Sequence, residues 1–168
     1  VGENHKKKIN KIKKILKKKS SECIFVTAPE NVAWLLNIRG SDNPNSPIPH
    51  CHLFLNNKND IYLIANKEKI KNLLNEKKIR SKNIIEPKDF RKFIDNQIGG
   101  RVIIDNKSCS VFYENILNAK FKILKEDDPI YLLKSLKNKT EISNMIESHI
   151  ADGVALTKFL YWIKNNNK

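Results

Sequence analysis

The chain has 168 residues, of which 40% are hydrophobic; this excludes wholesale disorder and predicts one domain with a core, plus part of a second unit. No apolar run approaches the ~18 residues of a membrane span, and the basic N-terminus lacks the apolar segment of a secretory signal. The net charge of +14 comes almost wholly from lysine, whereas specific nucleic-acid recognition favours arginine, so we expect no specific nucleic-acid partner.

The chain begins with three elements of clear pattern. Residues 6–19 predict a basic helix with its lysines on the solvated side. The apolar face of this helix consists of Ile9, Ile12, Ile15 and Leu16. Residues 23–28 are β-branched and aromatic and predict a strand, after which Pro29 favours the start of a helix that ends near Leu36.

The helical pattern then breaks into a loop at residues 39–49. Three prolines stand within its last six residues, and since proline fixes φ and restricts the residue before it, the loop is predicted to be rigid and non-helical. Such a loop holds a charge in place. In one interpretation Arg39 and Asp42 pair with each other inside a simple connection, and in the other Arg39 is presented as a fixed cation.

The rest of the first domain alternates between strands and helices. Residues 50–55 and 61–65 flank a polar turn and predict an antiparallel hairpin. Asn66 is expected to cap a helix that runs to residue 78. Further strands are predicted at residues 83–86, 101–105 and 120–125, and further helices at residues 88–96 and 108–118. The order predicts an α/β fold whose mixed sheet is flanked by helices on both faces.

The alternation of predicted strands and helices ends before Asp128. Residues 140–164 predict one long amphipathic C-terminal helix. Its apolar stripe consists of Ile142, Met145, Ile146, Ile150, Leu156, Leu160 and Ile163. Because this stripe needs a partner that the chain does not supply, and because the chain starts at Val1, we expect an excised fragment. Residues 1–128 would form one domain, and residues 129–168 the start of a truncated second domain.

Few residues suggest catalytic or metal chemistry. His50 and His52 would share one side of a strand with Cys51 opposite, so at most two metal ligands converge there. His149 and Asp152 lie on one helical face, a spacing that allows a local hydrogen bond, and we expect them to have a helix-packing role. No serine or cysteine triad is evident. We therefore predict no catalytic residue and no metal site in this chain, and free thiols at its three cysteines.

Two segments resemble a known enzyme family. The string WLLNIRGSDNPNSP is similar to a segment of long-type Xaa-Pro aminopeptidase (aminopeptidase P), in which a helix ending in Trp-Leu precedes Asn-[Leu/Ile]-Arg-Gly-Ser-Asp. The string KSLKNKTEISNMIESHIADGVAL resembles the opening helix of that family's catalytic domain. The residues in register are Lys137, Asn138, Glu141, Ile142, Met145, His149, Asp152, Gly153, Ala155 and Leu156.

This resemblance implies the creatinase N-terminal fold, similar to ribonuclease H in topology. It implies the middle domain of a cytosolic metallopeptidase that releases the N-terminal residue from peptides with proline in second position. The family's metal ligands, two Asp, one His and two Glu, lie beyond the position of Lys168, so the implied manganese or zinc would belong to the parent catalytic domain. The implied partners are that downstream domain, a peptide substrate and a second copy of the chain.

Within this family, the loop at residues 39–49 would wall or brace the catalytic cleft, with Arg39 and Asp42 as its candidate residues for substrate or interdomain contact. One alternative is a metal-free interaction module, as in the histone-chaperone relatives of the fold. A second is an Xaa-Pro dipeptidase. The Asn-Ile-Arg-Gly-Ser-Asp sequence favours the aminopeptidase, because the chaperones and shorter prolidases do not share it.

Overall fold

The computed structural model describes residues 2–58, 60–70, 73 and 79–166. The described residues form a six-stranded sheet and six α-helices. The strands are β1 (Cys23–Val26), β2 (His52–Asn56), β3 (Ile61–Ile64), β4 (Ile84–Ile85), β5 (Gly100–Ile104) and β6 (Phe121–Lys125). The helices are α1 (His5–Lys18), α2 (Pro29–Leu36), α3 (Phe90–Asp95), α4 (Val111–Asn118), α5 (Pro129–Ser135) and α6 (Lys139–Asn166).

The sheet is mixed, as predicted. Its strand order is β4-β3-β2-β1-β5-β6, and β2 runs antiparallel to both of its neighbours while the other pairs are parallel. The predicted hairpin is present, with Leu53 of β2 opposite Leu63 of β3. β1 lies at the centre, since its Phe25 is opposite Phe54 on one side and Ile104 on the other.

Helices cover both faces of the sheet, because successive side chains of a strand point to opposite faces. Ile24 and Val26 belong to a core cluster with residues of α1, α2 and α5, and Cys23 and Phe25 belong to a second cluster with residues of α3 and α4. The first cluster includes Ile12, Leu16, Val32, Leu36 and Ile130, and the second includes Phe90, Ile94, Ile116 and Leu117. The predicted fold class is thereby confirmed.

Several predicted boundaries differ from the structure. Asn66 accepts a hydrogen bond from the Glu68 N–H at 2.9 Å, but the turn that it opens is the 3-10 helix Lys67–Ile70. Residues 71, 72 and 74–78 of the predicted helix lie outside the described residues. α4 begins at Val111 instead of residue 108, because the Asp105 carboxylate accepts from the Lys107 N–H and holds a turn before it.

The sequence did not predict α5. Asp128 accepts from the Ile130 N–H at 2.8 Å, Pro129 occupies the first turn, and the Ile130 side chain is 0% exposed in the first core cluster. The compact unit that contains the sheet therefore runs through Ser135. The division at residues 128 and 129 between the first domain and the catalytic domain stays a prediction.

The long C-terminal helix is α6, and it has no buried residue among those described. Its apolar stripe is exposed, with Ile150 at 63% and Leu160 at 56%. None of the described helices combines the length and the hydropathy that crossing a bilayer would require.

Candidate functional site

The candidate loop begins where α2 ends. Asn37 adopts the left-handed conformation (φ 54°, ψ 47°), and its N–H donates to the carbonyls of Ala33 and Trp34. Asn tolerates this conformation better than most residues, because its short polar side chain forms local hydrogen bonds. Ile38 follows, 4% exposed, and its N–H donates to the Ala33 carbonyl at 3.0 Å. The chain therefore leaves the helix at a fixed point and in a fixed direction.

Arg39 is the first exposed residue after this helix end. Among the described residues, its guanidinium has no hydrogen bond or ion pair. The next residue, Gly40, donates its N–H to the Pro47 carbonyl at 3.1 Å. A Cβ added to Gly40 would lie 2.6 Å from the Pro49 Cα, so the close approach of the two ends of the loop requires glycine. Arg39 thus extends from backbone that is fixed on both sides.

Asp42 has a structural partner, but it is not Arg39. Its carboxylate accepts from the Lys69 ammonium at 2.7 Å and from the His50 N–H at 2.7 Å. The hydrogen bonds from Lys69 and then from His50 lower the pKa of Asp42 below its ordinary value of 3.8. Of the two interpretations of the loop, the one that pairs Arg39 with Asp42 does not hold in the described residues, because Asp42 closes the far end of the loop onto Lys69 and the His50 backbone.

The loop borders an open groove of about 510 Å³. Buried apolar side chains, including Ile38, Leu63 and Ile70, line its interior. Lys69 and Asp42 line it as an ion pair, so the additional positive charge comes from Arg39. Cys51 also lines the groove, but burial raises the pKa of its thiol to about 12, so it is not a thiolate nucleophile near neutral pH. The groove is suited to hold a partner that carries apolar and acidic groups.

The two neighbouring histidines have different surroundings. His50 is exposed and precedes β2, whereas His52 is the first residue of β2 and is packed edge-on against Tyr113, with ring centroids 4.9 Å apart. The Nδ1–H of His52 donates to the Thr27 carbonyl at 2.9 Å. Burial lowers the pKa of His52, against the opposing effect of this hydrogen bond. His52 is a structural residue that packs against Phe25 and Tyr113 beside the second core cluster.

The other candidate pair, His149 and Asp152, does not form a hydrogen bond in the described part of the chain. His149 Nδ1 donates instead to the Met145 carbonyl at 2.7 Å, one turn earlier in α6. Within the described ranges, no group of three or more His, Cys, Asp or Glu side chains has the geometry to hold a metal ion. The described residues therefore do not form a dinuclear centre, whose ligands the family resemblance assigns to positions beyond Lys168.

Lys8 and Asn31 are among the buried polar residues that the sequence did not predict. Lys8 was assigned to the solvated side of α1, yet it is 0% exposed and its Nζ donates to the Trp34 carbonyl at 2.8 Å. It stands four residues before Ile12 and eight before Leu16, so it lies on the apolar stripe, and this spacing was the available signal. Asn31 is the second, buried in α2, where its amide donates to Asp128 at 2.8 Å.

Comparison with known proteins extends along almost the entire chain. Xaa-Pro aminopeptidase 1 of Dictyostelium discoideum is 31% identical over 176 residues, which cover 98% of this chain and 26% of the relative. The Xaa-Pro aminopeptidase ApepP of Drosophila melanogaster is 28% identical and covers 95% of this chain and 26% of the relative. The chain spans about a quarter of the length of these relatives.

Solved structures share the fold. The X-prolyl aminopeptidase of Caenorhabditis elegans, described as a cytosolic enzyme with a di-nuclear active site, aligns with a TM-score of 0.81 and 24% identity over 98% of this chain and 28% of that one. An Xaa-Pro dipeptidase from Bacillus anthracis aligns with a TM-score of 0.71 and 14% identity over 95% of this chain and 44% of that one. The creatinase/prolidase N-terminal domain model matches residues 1–141, and the chain belongs to that family.

Proposed function

We propose that this chain is the non-catalytic domain, with the first catalytic-domain helix, of a cytosolic Xaa-Pro aminopeptidase. Such an enzyme releases the N-terminal residue from peptides with proline in second position. The observation that carries the proposal is the match to Xaa-Pro aminopeptidases over 98% of the chain, joined to the loop sequence around Arg39. The cytosolic assignment follows the description of the nematode relative.

The metal belongs to a different part of the proposed enzyme. A dinuclear peptidase needs several carboxylates and a histidine that converge on two cations, and the described residues of this chain do not supply such a set. We assign manganese or zinc to a catalytic domain that follows α6 in the longer protein. When bound there, the metal pair would activate water for attack on the peptide bond.

The exposed stripe of α6 supports a downstream partner in the same protein. Isolated exposed apolar residues are ordinary, but a run of them along one helix marks an interaction surface. Ile146, Ile150 and Leu156 are each more than half exposed. The catalytic domain is the proposed occupant of this stripe, and a second copy of the chain is the alternative that sedimentation at several concentrations would distinguish.

The loop at residues 39–49 contributes a fixed cation to the proposed cleft. Arginine keeps its charge at any working pH and offers a rigid fork of donors, which suits a carboxylate. Arg39 extends from backbone held on both sides, so little backbone entropy is lost when its guanidinium binds a partner. We propose that Arg39 contacts either the carboxylate end of a short peptide or an acidic residue of the catalytic domain, while Asp42 holds the loop in shape.

The first test is activity. The 168-residue chain is expected to be inactive on a proline-second peptide with added manganese or zinc, whereas the longer protein is expected to turn it over. The ligand set in the sequence that follows residue 168 separates this proposal from the metal-free interaction module. Turnover by the chain alone, after host peptidases are excluded, contradicts the proposal.

The second test replaces Arg39 by Lys in the longer protein. The charge remains but the two-pronged geometry is lost, so kcat/KM should fall about tenfold, the equivalent of ~1.4 kcal/mol, while the thermal midpoint of the 168-residue chain is unchanged. Arg91→Lys is the matched control, because Arg91 is an exposed arginine on α3. If Arg39→Lys leaves turnover intact on short and long peptides, the loop has no such role.

A further inference from the structure

Lys8 belongs to α1, and its side chain is buried against the C-terminal end of α2. Its side chain is 0% exposed, and its Nζ donates to the Trp34 carbonyl at 2.8 Å and to the Asn37 Oδ1 at 2.7 Å. The same ammonium lies 3.9 Å from the centroid of the Trp34 ring. All of these contacts lie in the last turn of α2 or in the residue that ends it.

The position of this ammonium matches the electrostatics of a helix end. The last carbonyls of a helix have no partner within the helix and carry partial negative charge, so a cation there is favourable. The Lys8 ammonium donates to one of these carbonyls, that of Trp34, and also to the side-chain oxygen of Asn37. It therefore links the last turn of α2 to the residue whose left-handed conformation sets the direction of the loop.

Arg39 is two residues beyond this link. Ile38, between them, is buried, and Gly40 after Arg39 is held by its hydrogen bond to Pro47. If Asn37 left the left-handed conformation, the backbone direction at Arg39 would change with it. The backbone direction at Arg39 therefore depends on Asn37, whose N–H is bonded to the end of α2 and whose side chain accepts from Lys8.

Packing alone does not call for lysine at this position. Burying an ammonium carries a desolvation cost, and well-packed apolar residues often replace buried charged groups without loss of stability. Methionine has a similar length and would fill the same space, but it cannot donate to a carbonyl and an amide at once. Lysine at this position is therefore best explained by its two hydrogen bonds, which hold the Asn37 side chain next to the Trp34 carbonyl.

We propose that Lys8 is a positioning residue for Arg39, acting through the left-handed conformation of Asn37. This inference rests on the proposed function of Arg39. In the longer protein, Lys8→Met should lower kcat/KM for a proline-second peptide by about tenfold, because a displacement of ~1 Å in a positioning group costs up to ~100-fold. Lys7→Met, one residue away on the exposed side of α1, is the matched control and should change nothing.

A double-mutant cycle separates positioning from a general structural effect. In an Arg39→Gln background, Lys8→Met should lower kcat/KM by less than about twofold, because the residue that it positions is already lost. Any loss of thermal stability should be equal in both backgrounds. Equal losses of kcat/KM in both backgrounds, or no difference between Lys8→Met and Lys7→Met, overturn the proposal.

A second measurement is independent of catalysis. In the 168-residue chain, the backbone chemical shifts of Asn37 report its left-handed conformation, and amide hydrogen exchange at residues 37–40 reports how firmly it is held. Lys8→Met should shift Asn37 away from that conformation and speed exchange, and Lys8→Arg should restore part of the protection. If Arg39→Gln leaves kcat/KM intact but Lys8→Met still disorders Asn37, the role of Arg39 fails while the link stands. If Asn37 is unchanged in Lys8→Met, the link itself is wrong.

Discussion

At the scale of single residues, three residues account for the shape of the candidate loop, each through a different physical effect. Asn37 accepts a left-handed backbone, Gly40 permits a contact that any Cβ would block, and Asp42 closes the loop onto Lys69 and the His50 backbone. The prolines restrict φ, and two of them, Pro47 and Pro49, also form the backbone that Gly40 approaches. The loop is therefore fixed by long-range partners as well as by its local composition.

The Asp42 contact predicts a pH dependence. Its pKa is lowered on folding, so its stabilising contribution is present above its unfolded pKa near 3.8 and is lost as pH falls through the lower folded value. Asp42→Asn should therefore cost about 0.2–1 kcal/mol at pH 7, the range of partly exposed ion pairs, and the difference from wild type should shrink below pH 3.8. Urea unfolding between pH 3 and pH 7 measures this.

The matched control for Asp42 is Asp127→Asn. Asp127 also pairs with a lysine, Lys107, but the two side chains are 77% and 73% exposed, so solvent screens the pair. The control should change stability less than Asp42→Asn at pH 7. A difference for Asp42→Asn that stays constant down to pH 3 contradicts the assigned cause.

At the scale of elements, α2 and α5 are joined by a buried polar network. The Asn31 amide donates to the Asp128 carboxylate at 2.8 Å and accepts from the Lys134 ammonium at 2.7 Å. Burial raises the pKa of Asp128, while the hydrogen bonds from Ile130 and Asn31 act in the opposite direction. Asn31 thus stabilises the charged form of Asp128, which burial disfavours.

Removal of this amide should lower the free energy of unfolding, and the size of the loss should depend on pH. Asn31→Ala should cost about 1–3 kcal/mol, because Asp128 loses a buried donor. The pKa of Asp128 should rise further, and a raised carboxyl pKa makes stability fall as pH rises from 3.8 through the folded value, so the deficit should be larger at pH 7 than at pH 4. Urea unfolding at both pH values tests this, with the exposed Asn10→Ala on α1 as the control.

The elements that the sequence predicted well are those with a strong local signal. β1, β2 and β3 are apolar runs bounded by turn residues, and Pro29 marks the start of α2. α5 has seven residues, of which Ile130 is buried, so periodicity had too few positions to act on, although Asp128 before Pro129 is a helix-start signal. The burial of Lys8 was indicated by its place on the apolar stripe of α1, whereas the partner of Asp42 depended on a tertiary contact between distant segments, which no local pattern encodes.

At the scale of the whole molecule, the chain contains two compact units of different character. The unit Asn4–Ser135 has buried clusters on both faces of its sheet, whereas α6 has no buried residue among those described. A helix of 28 residues with an exposed apolar stripe gains little from its own chain. Its stability in the proposed enzyme would come from the domain that it opens.

This contrast leads to a prediction about two truncations. A chain that ends at Ser135 retains every element of the compact unit, so its unfolding midpoint should stay close to that of the 168-residue chain. A chain that ends at Asp128 loses the burial of Ile130, worth about 1.5–3 kcal/mol, and a hydrogen bond to Asn31, worth about 1–3 kcal/mol. These losses are a large part of the ~5–15 kcal/mol that stabilises a domain of this size.

Urea unfolding of both truncated chains, followed by circular dichroism, decides where the folded unit ends. The chain ending at Ser135 should also associate less than the 168-residue chain in sedimentation velocity, because the exposed stripe of α6 has been removed. If this chain unfolds, α6 stabilises the first unit and is not a separate element. If the chain ending at Asp128 is as stable as the one ending at Ser135, α5 contributes nothing to the core, and the domain boundary lies at residue 128 as the sequence indicated.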